Sequence, residues 1–267
     1  MGLPALFVSA VVSACSCDVC HGYALFISGE SNCNVIGEKN FPAKNGAGTV
    51  PPPQDGEYTV DDLIPVAQVS ASPFYMAVSA ENKDFTDGAS LLEYIKANPG
   101  KFTYANVGNG GNGHLAFASF LVGEGLDAVS VPYSGGTADC YTAMMSGEVN
   151  AAVYGEADLL AREDNHAVIN LGSKSTVESL QDVPTLADLG YEGYETNNMA
   201  GFFYNKDVPA AAVTAFEDAV ESVLTDPEFV AEATAAGFVP SFGTGADMDK
   251  QAEAAIEKAV PVLESLG

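Results

Sequence analysis

The fold is decided by the segment YANVGNGGNGHL, residues 104–115, in which a strand-forming run gives way to a glycine-rich loop and then to a helix. The segment VPYSGGTA, residues 131–138, repeats that order. Strands, turns and helices of about ten residues alternate from residue 102 to residue 171, which is typical of parallel βαβ units. The sequence therefore predicts an α/β fold.

Capping residues and prolines predict where several elements begin and end. Asp87 is expected to cap a helix that stops at Pro99, and Thr244 to cap a last amphipathic helix. A short helical turn followed by a strand is predicted over residues 61–69, and a separate strand over residues 74–79.

The charge balance excludes several classes of function. The 267 residues include 36 Asp and Glu against 10 Lys and Arg, which gives a net charge of -26, and Arg162 is the sole arginine. Such a chain repels phosphate backbones and anionic lipid surfaces, so nucleic-acid binding is not expected. An acidic surface that keeps the protein soluble is the simplest interpretation.

The cysteines suggest a haem motif that the rest of the sequence does not support. The five cysteines are Cys15, Cys17, Cys20, Cys33 and Cys140. Residues 17–21 match the haem-attachment pattern C-x-x-C-H, but no second axial ligand can be placed. No second ligand pair follows at zinc-finger spacing, and an odd count gives no regular disulfide framework. We expect neither a cofactor nor a metal.

The N-terminal segment has an unusual composition. Residues 2–14 are apolar, as in a secretory signal, but lack the basic residues that precede such a stretch. Residues 12–15, VSAC, resemble a lipoprotein cleavage box, which would place a lipid on Cys15. A mis-assigned start at Met1 is the alternative. No run reaches the roughly 20 apolar residues that a membrane span needs.

Both glycine turns are candidate anion sites. Each joins the carboxyl end of a predicted strand to a helix, whose first amides have no partner within the helix. Glycine lets a ligand approach these amides closely, and a carboxylate or phosphate is favoured there without a basic side chain. Ordinary βα turns would have the same sequence, so each turn alone leaves both interpretations open.

Several motifs together resemble a known family, the solute-binding receptors of tripartite tricarboxylate transporters, also called the Bordetella uptake family. The resemblance extends over residues 22–267. The motifs that carry it are residues 91–104 with 108–114, residues 131–136, residues 147–150, residues 182–185 and residues 190–195.

The resemblance implies a two-lobed, periplasmic-binding-protein-like (Venus-flytrap) α/β fold with mixed, largely parallel sheets. The expected division is an atypical segment over residues 1–21, a first lobe over residues 22–73 plus 200–267, and a second lobe over residues 74–199. The family opens with a further strand, glycine loop and helix that this sequence lacks. The first lobe is therefore expected to be incomplete, whether through truncation or degeneration.

The resemblance also assigns candidate ligand-binding residues. In the first lobe these are Gly29, Glu30 and Ser31, where the acidic Glu30 departs from the family and would favour a ligand with a cationic group. In the second lobe they are Asn109, Gly110, Gly111, Asn112, Gly113 and His114, then Tyr133, Ser134, Gly135, Gly136 and Thr137, and finally Glu156 and Asp158.

The function implied by the resemblance is capture of a small carboxylate between the lobes, without catalysis. The expected partners are a small organic anion and the membrane components of a tripartite tricarboxylate transporter. The protein is expected to be a monomer that is located in the periplasm or outside the cell. Two alternatives stay open: a hydrolase in which His114 acts as general base, and a truncated fragment that binds nothing.

Overall fold

The computed structural model describes residues 24–28, 33–36, 63–235 and 238–266. The chain divides into two compact units. The first unit comprises Met1–Ala71 and Met199–Ala254, and the second comprises Ser72–Asn198 and Ala255–Gly267. The lobe boundaries expected from the sequence stay a prediction.

The described elements follow one another in a mixed α/β order. They are β1 (Ala24–Ser28), β2 (Cys33–Ile36), β3 (Leu63–Ser79), α1 (Gly88–Ala97), β4 (Thr103–Asn106), α2 (Asn112–Gly123), β5 (Val129–Pro132), α3 (Thr137–Met145), β6 (Ala151–Gly155), α4 (Glu156–Leu160), β7 (Asn165–Asn170), a 3₁₀ turn (Glu178–Leu180), β8 (Asn197–Asn205), α5 (Ala210–Leu224), α6 (Pro227–Ala235), β9 (Gly243–Thr244) and α7 (Gly245–Leu266).

The first unit is built on antiparallel pairs. Strand β1 pairs with both β2 and β8, and the first part of β3 pairs with β9. Helix α5 packs an apolar stripe against this sheet, with the ring of Phe216 edge-on to Phe202 at 5.1 Å between centroids. The hydroxyl of Thr244 accepts the Asp247 amide while the Asp247 carboxylate accepts the Thr244 amide, so α7 begins with the cap that the sequence predicts.

The second unit contains the parallel pairs. Its strand order is β7, β3, β6, β4, β5. Strand β4 runs parallel to β5 and to β6, whereas β3 is antiparallel to β6 and to β7. The α/β class is confirmed, and the described parallel strand pairs, β4 with β5 and β4 with β6, lie in the βαβ region that the glycine turns predicted.

Alternate residues of β3 bury opposite faces of the second unit's sheet, as the period of a strand requires. Phe74 and Met76 join the cluster that α1 and α2 cover, and Phe117 of α2 lies at its centre. Tyr75 and Ala77 join the cluster that α3 and α4 cover. The sheet is therefore buried on both faces, as expected of parallel strands flanked by helices.

Strand β3 differs from the sequence-based expectation. The predicted turn, the strand over 61–69 and the strand over 74–79 form one continuous strand from Leu63 onward. Pro73 does not break it, because the φ angle of proline suits an extended chain. Pairing with β6 begins at the next residue, Phe74. The cap at Asp87 is confirmed, since its carboxylate accepts the amide of Ser90 at 2.8 Å.

Replacing Phe117 with alanine should destabilise the protein by about 3–5 kcal/mol, because the ring is fully buried and its removal leaves a cavity. Urea unfolding followed by circular dichroism measures the change. The control is Val122→Ala on the same helix, where the side chain is 43% exposed and a loss within about 0.5 kcal/mol is expected. Equal losses in the two variants would contradict the packing described.

Candidate functional site

Three connections of the second unit meet at one edge of its sheet. They are residues 107–111 after β4, residues 133–136 after β5, and the β6–α4 junction at Gly155. Because β4, β5 and β6 are parallel neighbours, their carboxyl ends lie side by side. The carboxyl ends of these three strands, with the connections that follow them, are called the carboxyl edge below. Open α/β sheets bind their ligands at this end of their strands.

Polar side-chain contacts fix the first turn. The side-chain oxygen of Asn106 accepts the amide of Gly108 at 2.8 Å, and its nitrogen donates to Ser130 Oγ at 2.6 Å. Ser130 in turn donates to the side chain of Asn109 at 3.0 Å. Gly110 has a φ of 81°, which disfavours any residue with a Cβ. The turn therefore has one well-defined backbone path.

Helix α2 begins without a cap. Its N-cap residue is Gly111, so no side chain bonds the first amides, and the first turn contains no acidic residue. The Leu115 amide donates to the Gly111 carbonyl, whereas the amides of residues 112–114 have no acceptor within the described parts of the chain. The positive end of the helix dipole is thus left uncompensated at the carboxyl edge.

His114 is buried under the first turn. It is 2% exposed, its Nδ1 accepts the amide of Gly110 at 3.2 Å, and its ring stacks on Tyr104. Burial lowers the pKa of His114 below its ordinary value of 6.5. The imidazole is therefore neutral near pH 7, with its proton on Nε2. Because Nδ1 holds the turn, this geometry gives no support to His114 as a general base.

The second turn is tied to the first by its backbone. The amide of Tyr133 donates to the carbonyl of Asn106 at 2.8 Å. Gly136 has a φ of 84° and its carbonyl accepts the amides of Asp139 and Cys140. The amides of residues 137 and 138 have no acceptor among the residues that the structure describes. Two helix N-termini thus occupy neighbouring positions on the carboxyl edge.

The side chain of Tyr133 is partly buried and packs against the cluster that α3 and α4 cover. Its hydroxyl is buried without a hydrogen-bond partner in the described structure. Burial, and then the nearby Glu148 carboxylate, raise the pKa of this phenol.

Asp158 joins α4 to the start of α3. Its carboxylate accepts the hydroxyl of Thr137 at 2.9 Å and pairs with Arg162 at 3.0 Å. The guanidinium also lies over the rings of Tyr141 and Tyr154, at 5.1 and 5.4 Å from their centroids. The sole guanidinium of the sequence is thus engaged by a carboxylate of the protein itself.

Glu156 has two internal partners. It is 5% exposed, and its Oε2 accepts the hydroxyls of Tyr75 at 2.9 Å and of Ser175 at 2.5 Å. Burial raises the pKa of Tyr75, so this phenol keeps the proton that it donates. Glu156 lies at the carboxyl edge. Its Oε2 atom is occupied by these two hydrogen bonds, which connect α4 to β3 and to the loop of residues 171–176.

The structure brings most of the sequence-predicted residues to one place. Residues 109–114 and 133–137 lie on adjacent turns, and Asp158 contacts the second of them. Gly29, Glu30, Ser31 and the cysteine motif of residues 17–21 fall outside the described residues. Within the described parts no cluster of three or more His, Cys, Asp or Glu residues is arranged to hold a metal.

The sequence analysis did not identify the residues whose side chains hold the first glycine turn in place. Asn106 and Ser130 lie within β4 and β5, and their side chains meet across the two strands. A polar residue at the end of an otherwise apolar strand is the available signal, and Asn106 fits it. Ser130 carried no such signal, because its partner depends on the register of two strands.

The fold and the carboxyl edge define the class: a periplasmic-binding-protein-like α/β protein in which two helices begin without a side-chain cap at the carboxyl ends of parallel strands. A model of the tripartite tricarboxylate transporter family receptor matches residues 49–267, and the chain belongs to this family of solute-binding receptors. The resemblance drawn from the motifs is thereby confirmed. No described helix combines the length and apolar character needed to cross a membrane.

Individual relatives are distant. A UPF0065 protein of Bordetella pertussis is 24% identical over 214 residues, which are 79% of this chain and 65% of that protein. The chain thus spans less than two thirds of that relative. A TctC solute-binding protein from Polaromonas has a TM-score of 0.65 at 18% identity, covering 78% of this chain and 72% of the other. Rpa4515 of R. palustris, solved with adipate, has a TM-score of 0.64 at 20% identity, covering 97% and 82%. These two likenesses show the fold alone.

The buried His114 predicts a pH-dependent stability. Because its folded pKa lies below 6.5, the unfolded chain binds the proton more readily, and stability falls as the pH drops below about 6.5. The difference in unfolding free energy between wild type and His114→Gln should therefore shrink from pH 7.5 to pH 5. Urea titrations at several pH values measure it, with His166→Gln as control. An unchanged difference would show that His114 is not buried as described.

Proposed function

We propose that this protein is an extracytoplasmic receptor that binds a small carboxylate at the carboxyl edge and presents it to the membrane components of a tripartite tricarboxylate transporter. The observation that carries the proposal is the start of α2, where the amides of residues 112–114 have no partner in the described structure and no acid stands in the first turn. Membership of a receptor family supports the same function.

Binding at this position needs no basic side chain. The carboxylate oxygens would accept the α2 amides, and the Asn106 and Ser130 contacts hold the turn that precedes these amides. Amides fixed in advance lose little freedom when the ligand arrives, so more of the interaction appears as affinity. Helix N-termini bind anions in this way in many proteins.

The net charge of -26 repels an anionic ligand, but this repulsion and the attraction of the helix amides act over different distances. The helix amides act over hydrogen-bond distance, whereas repulsion from surface carboxylates is screened over about 10 Å at 0.1 M salt. Contact with the amides therefore decides binding once salt is present. The surface charge mainly slows the approach of the anion.

The oligomeric state, the location and the lobe closure in this proposal are taken from what the family resemblance implies. The receptor would work as a monomer in the periplasm or at the cell surface, with lipid at Cys15 as its anchor in the second case. Closure of two lobes would follow capture, driven by the higher affinity of the closed form. Adipate, which the related R. palustris protein holds, is a reasonable first probe of the ligand class.

A panel of carboxylates should include at least one that stabilises the protein. At 100 times its Kd a ligand adds about 2.7 kcal/mol to the free energy of unfolding. Thermal shift with adipate, malate, succinate, citrate, aspartate and glutamate measures this, and calorimetry on the strongest member gives its Kd. If no carboxylate raises the melting temperature, the protein is not a working receptor. Inorganic sulfate at equal ionic strength controls for salt effects.

Replacing Asn112 with aspartate should separate binding from stability. A carboxylate at the first position of α2 suits the helix dipole, so stability should hold or rise by about 0.3–1 kcal/mol. The same charge repels a bound carboxylate, and we expect at least about ten-fold weaker binding of the best panel ligand by calorimetry.

The matched control is Asn82→Asp. Asn82 uses its side-chain oxygen to accept the amides of Asp84 and Phe85, which aspartate also does. It follows the carboxyl end of β3, which is antiparallel to β6 and so ends at the opposite edge of the sheet. This variant should bind as the wild type does. Wild-type affinity in Asn112→Asp would place the ligand away from α2.

A further inference from the structure

The first glycine turn and the start of α2 contain two of the three Asn-Gly pairs of the sequence. They are residues 109–110 and 112–113, and the third pair, residues 45–46, lies outside the described residues. In such a pair the glycine amide nitrogen can attack the side-chain carbon of the asparagine and close a succinimide ring. Glycine favours this attack because it has no side chain to obstruct the approach. The structure surrounds the two described pairs differently.

A base contacts the nucleophile of the first pair. The amide of Gly110 donates to Nδ1 of His114 at 3.2 Å. Burial lowers the pKa of His114 below 6.5, so the imidazole is neutral near pH 7 and Nδ1 keeps the lone pair that accepts a proton. The contact that gives no support to a hydrolase acting on an outside substrate thus directs this lone pair at an amide of the chain itself.

A hydrogen bond polarises the electrophile of the same pair. Ser130 Oγ donates to Asn109 Oδ1 at 3.0 Å, and it accepts Nδ2 of Asn106 at 2.6 Å. A donor at a carbonyl oxygen favours attack on the carbonyl carbon, because it stabilises the negative charge that develops on the oxygen. The side chain of Asn109 is exposed, so water reaches it. Nucleophile, base and donor therefore meet at one asparagine.

The second pair lacks both contacts. Asn112 is the first residue of α2, and Gly113 is buried in its first turn. Within the described parts of the chain, no base accepts the Gly113 amide and no donor contacts the side chain of Asn112. The two pairs have the same residue types and lie three positions apart. Asn112 is therefore an internal control for Asn109.

We propose that Asn109 is a site of self-catalysed deamidation, with the Gly110 amide nitrogen as nucleophile and His114 as general base. The bond from Gly110 N to Asn109 Cγ forms, and the Cγ–Nδ2 bond of Asn109 breaks. The proton of the Gly110 amide passes to His114 Nδ1. The imidazolium returns it through solvent to the departing nitrogen, which leaves as ammonia. Water then opens the ring at either carbonyl, giving aspartate or isoaspartate, with no oxidation or reduction.

The reaction changes the charge of the turn that precedes α2. Both products put a carboxylate at position 109, and isoaspartate also adds a carbon to the backbone. The uncapped helix dipole favours a negative charge near its start, so the product is expected to stay folded. The turn at the proposed binding site would thus become negative as the protein ages. The modification itself does not depend on the proposed function.

The test follows both asparagines in one sample. The protein is incubated at pH 7.5 and digested, and mass spectrometry with chromatography separates asparagine, aspartate and isoaspartate peptides. We expect Asn109 to convert at least about ten-fold faster than Asn112, because a positioned base typically contributes a factor of about 10²–10⁴. In urea, where the chain is unfolded, the two should convert at similar rates, and Asn109 more slowly than in the folded protein.

The matched variants are His114→Gln and His166→Gln. His166 lies on β7, the strand farthest from β5 in the order of the second unit's sheet. His114→Gln should lower the Asn109 rate to its value in urea, and His166→Gln should keep the wild-type rate. Ser130→Ala, which leaves the base in place, should also slow Asn109. Circular dichroism verifies that each variant folds.

The comparison of folded with unfolded wild type decides the question even if His114→Gln does not fold. A rate at Asn109 that exceeds both the Asn112 rate and the rate in urea supports the proposal. Equal rates at the two asparagines in the folded protein would overturn it, as would faster conversion of Asn109 in urea. An unchanged rate at Asn109 in folded His114→Gln would show that His114 is not the base and would also overturn it.

Discussion

The start of α2 is the constraint on which the rest of the molecule depends. A helix leaves its first amides without internal partners, and they must meet water, a side chain or a ligand. Here the N-cap is glycine and the first turn carries no acid, so no side chain of the helix itself provides that partner. Because β4 is parallel to β5 and to β6, these amides lie at the carboxyl edge, beside the turn after β5 and the β6–α4 junction.

Buried polar groups keep that edge in one shape. Asn106 and Ser130 connect the ends of β4 and β5, and His114 holds the amide of Gly110 from beneath. Glu156 is held by two hydroxyl groups at the end of β6. Satisfied polar networks of this kind rigidify their surroundings, whereas a half-satisfied network would be costly. The contacts that stabilise this region therefore also hold the backbone that we propose binds the ligand.

The acidic composition is not uniform in its effect. Much of the charge lies on exposed side chains, where salt screens it. Two carboxylates are different because of where they lie: Asp158 pairs with Arg162, and Asp139 lies in the first turn of α3, where the helix dipole opposes its charge. A chain with net charge -26 can thus keep a locally positive potential at the start of α2, because backbone amides supply it.

The sequence by itself determined the α/β class, the alternation over residues 102–171, the caps at Asp87 and Thr244, and the family. These depend on local patterns that each segment carries within a few residues. It did not reveal the continuity of β3 or the partners of Glu156. Only the tertiary structure decided these, and only it placed the Asp139 carboxylate against Gly135 and buried His114. The reason is that burial, strand register and the direction of a side chain depend on residues far away in the chain, which a local pattern does not contain.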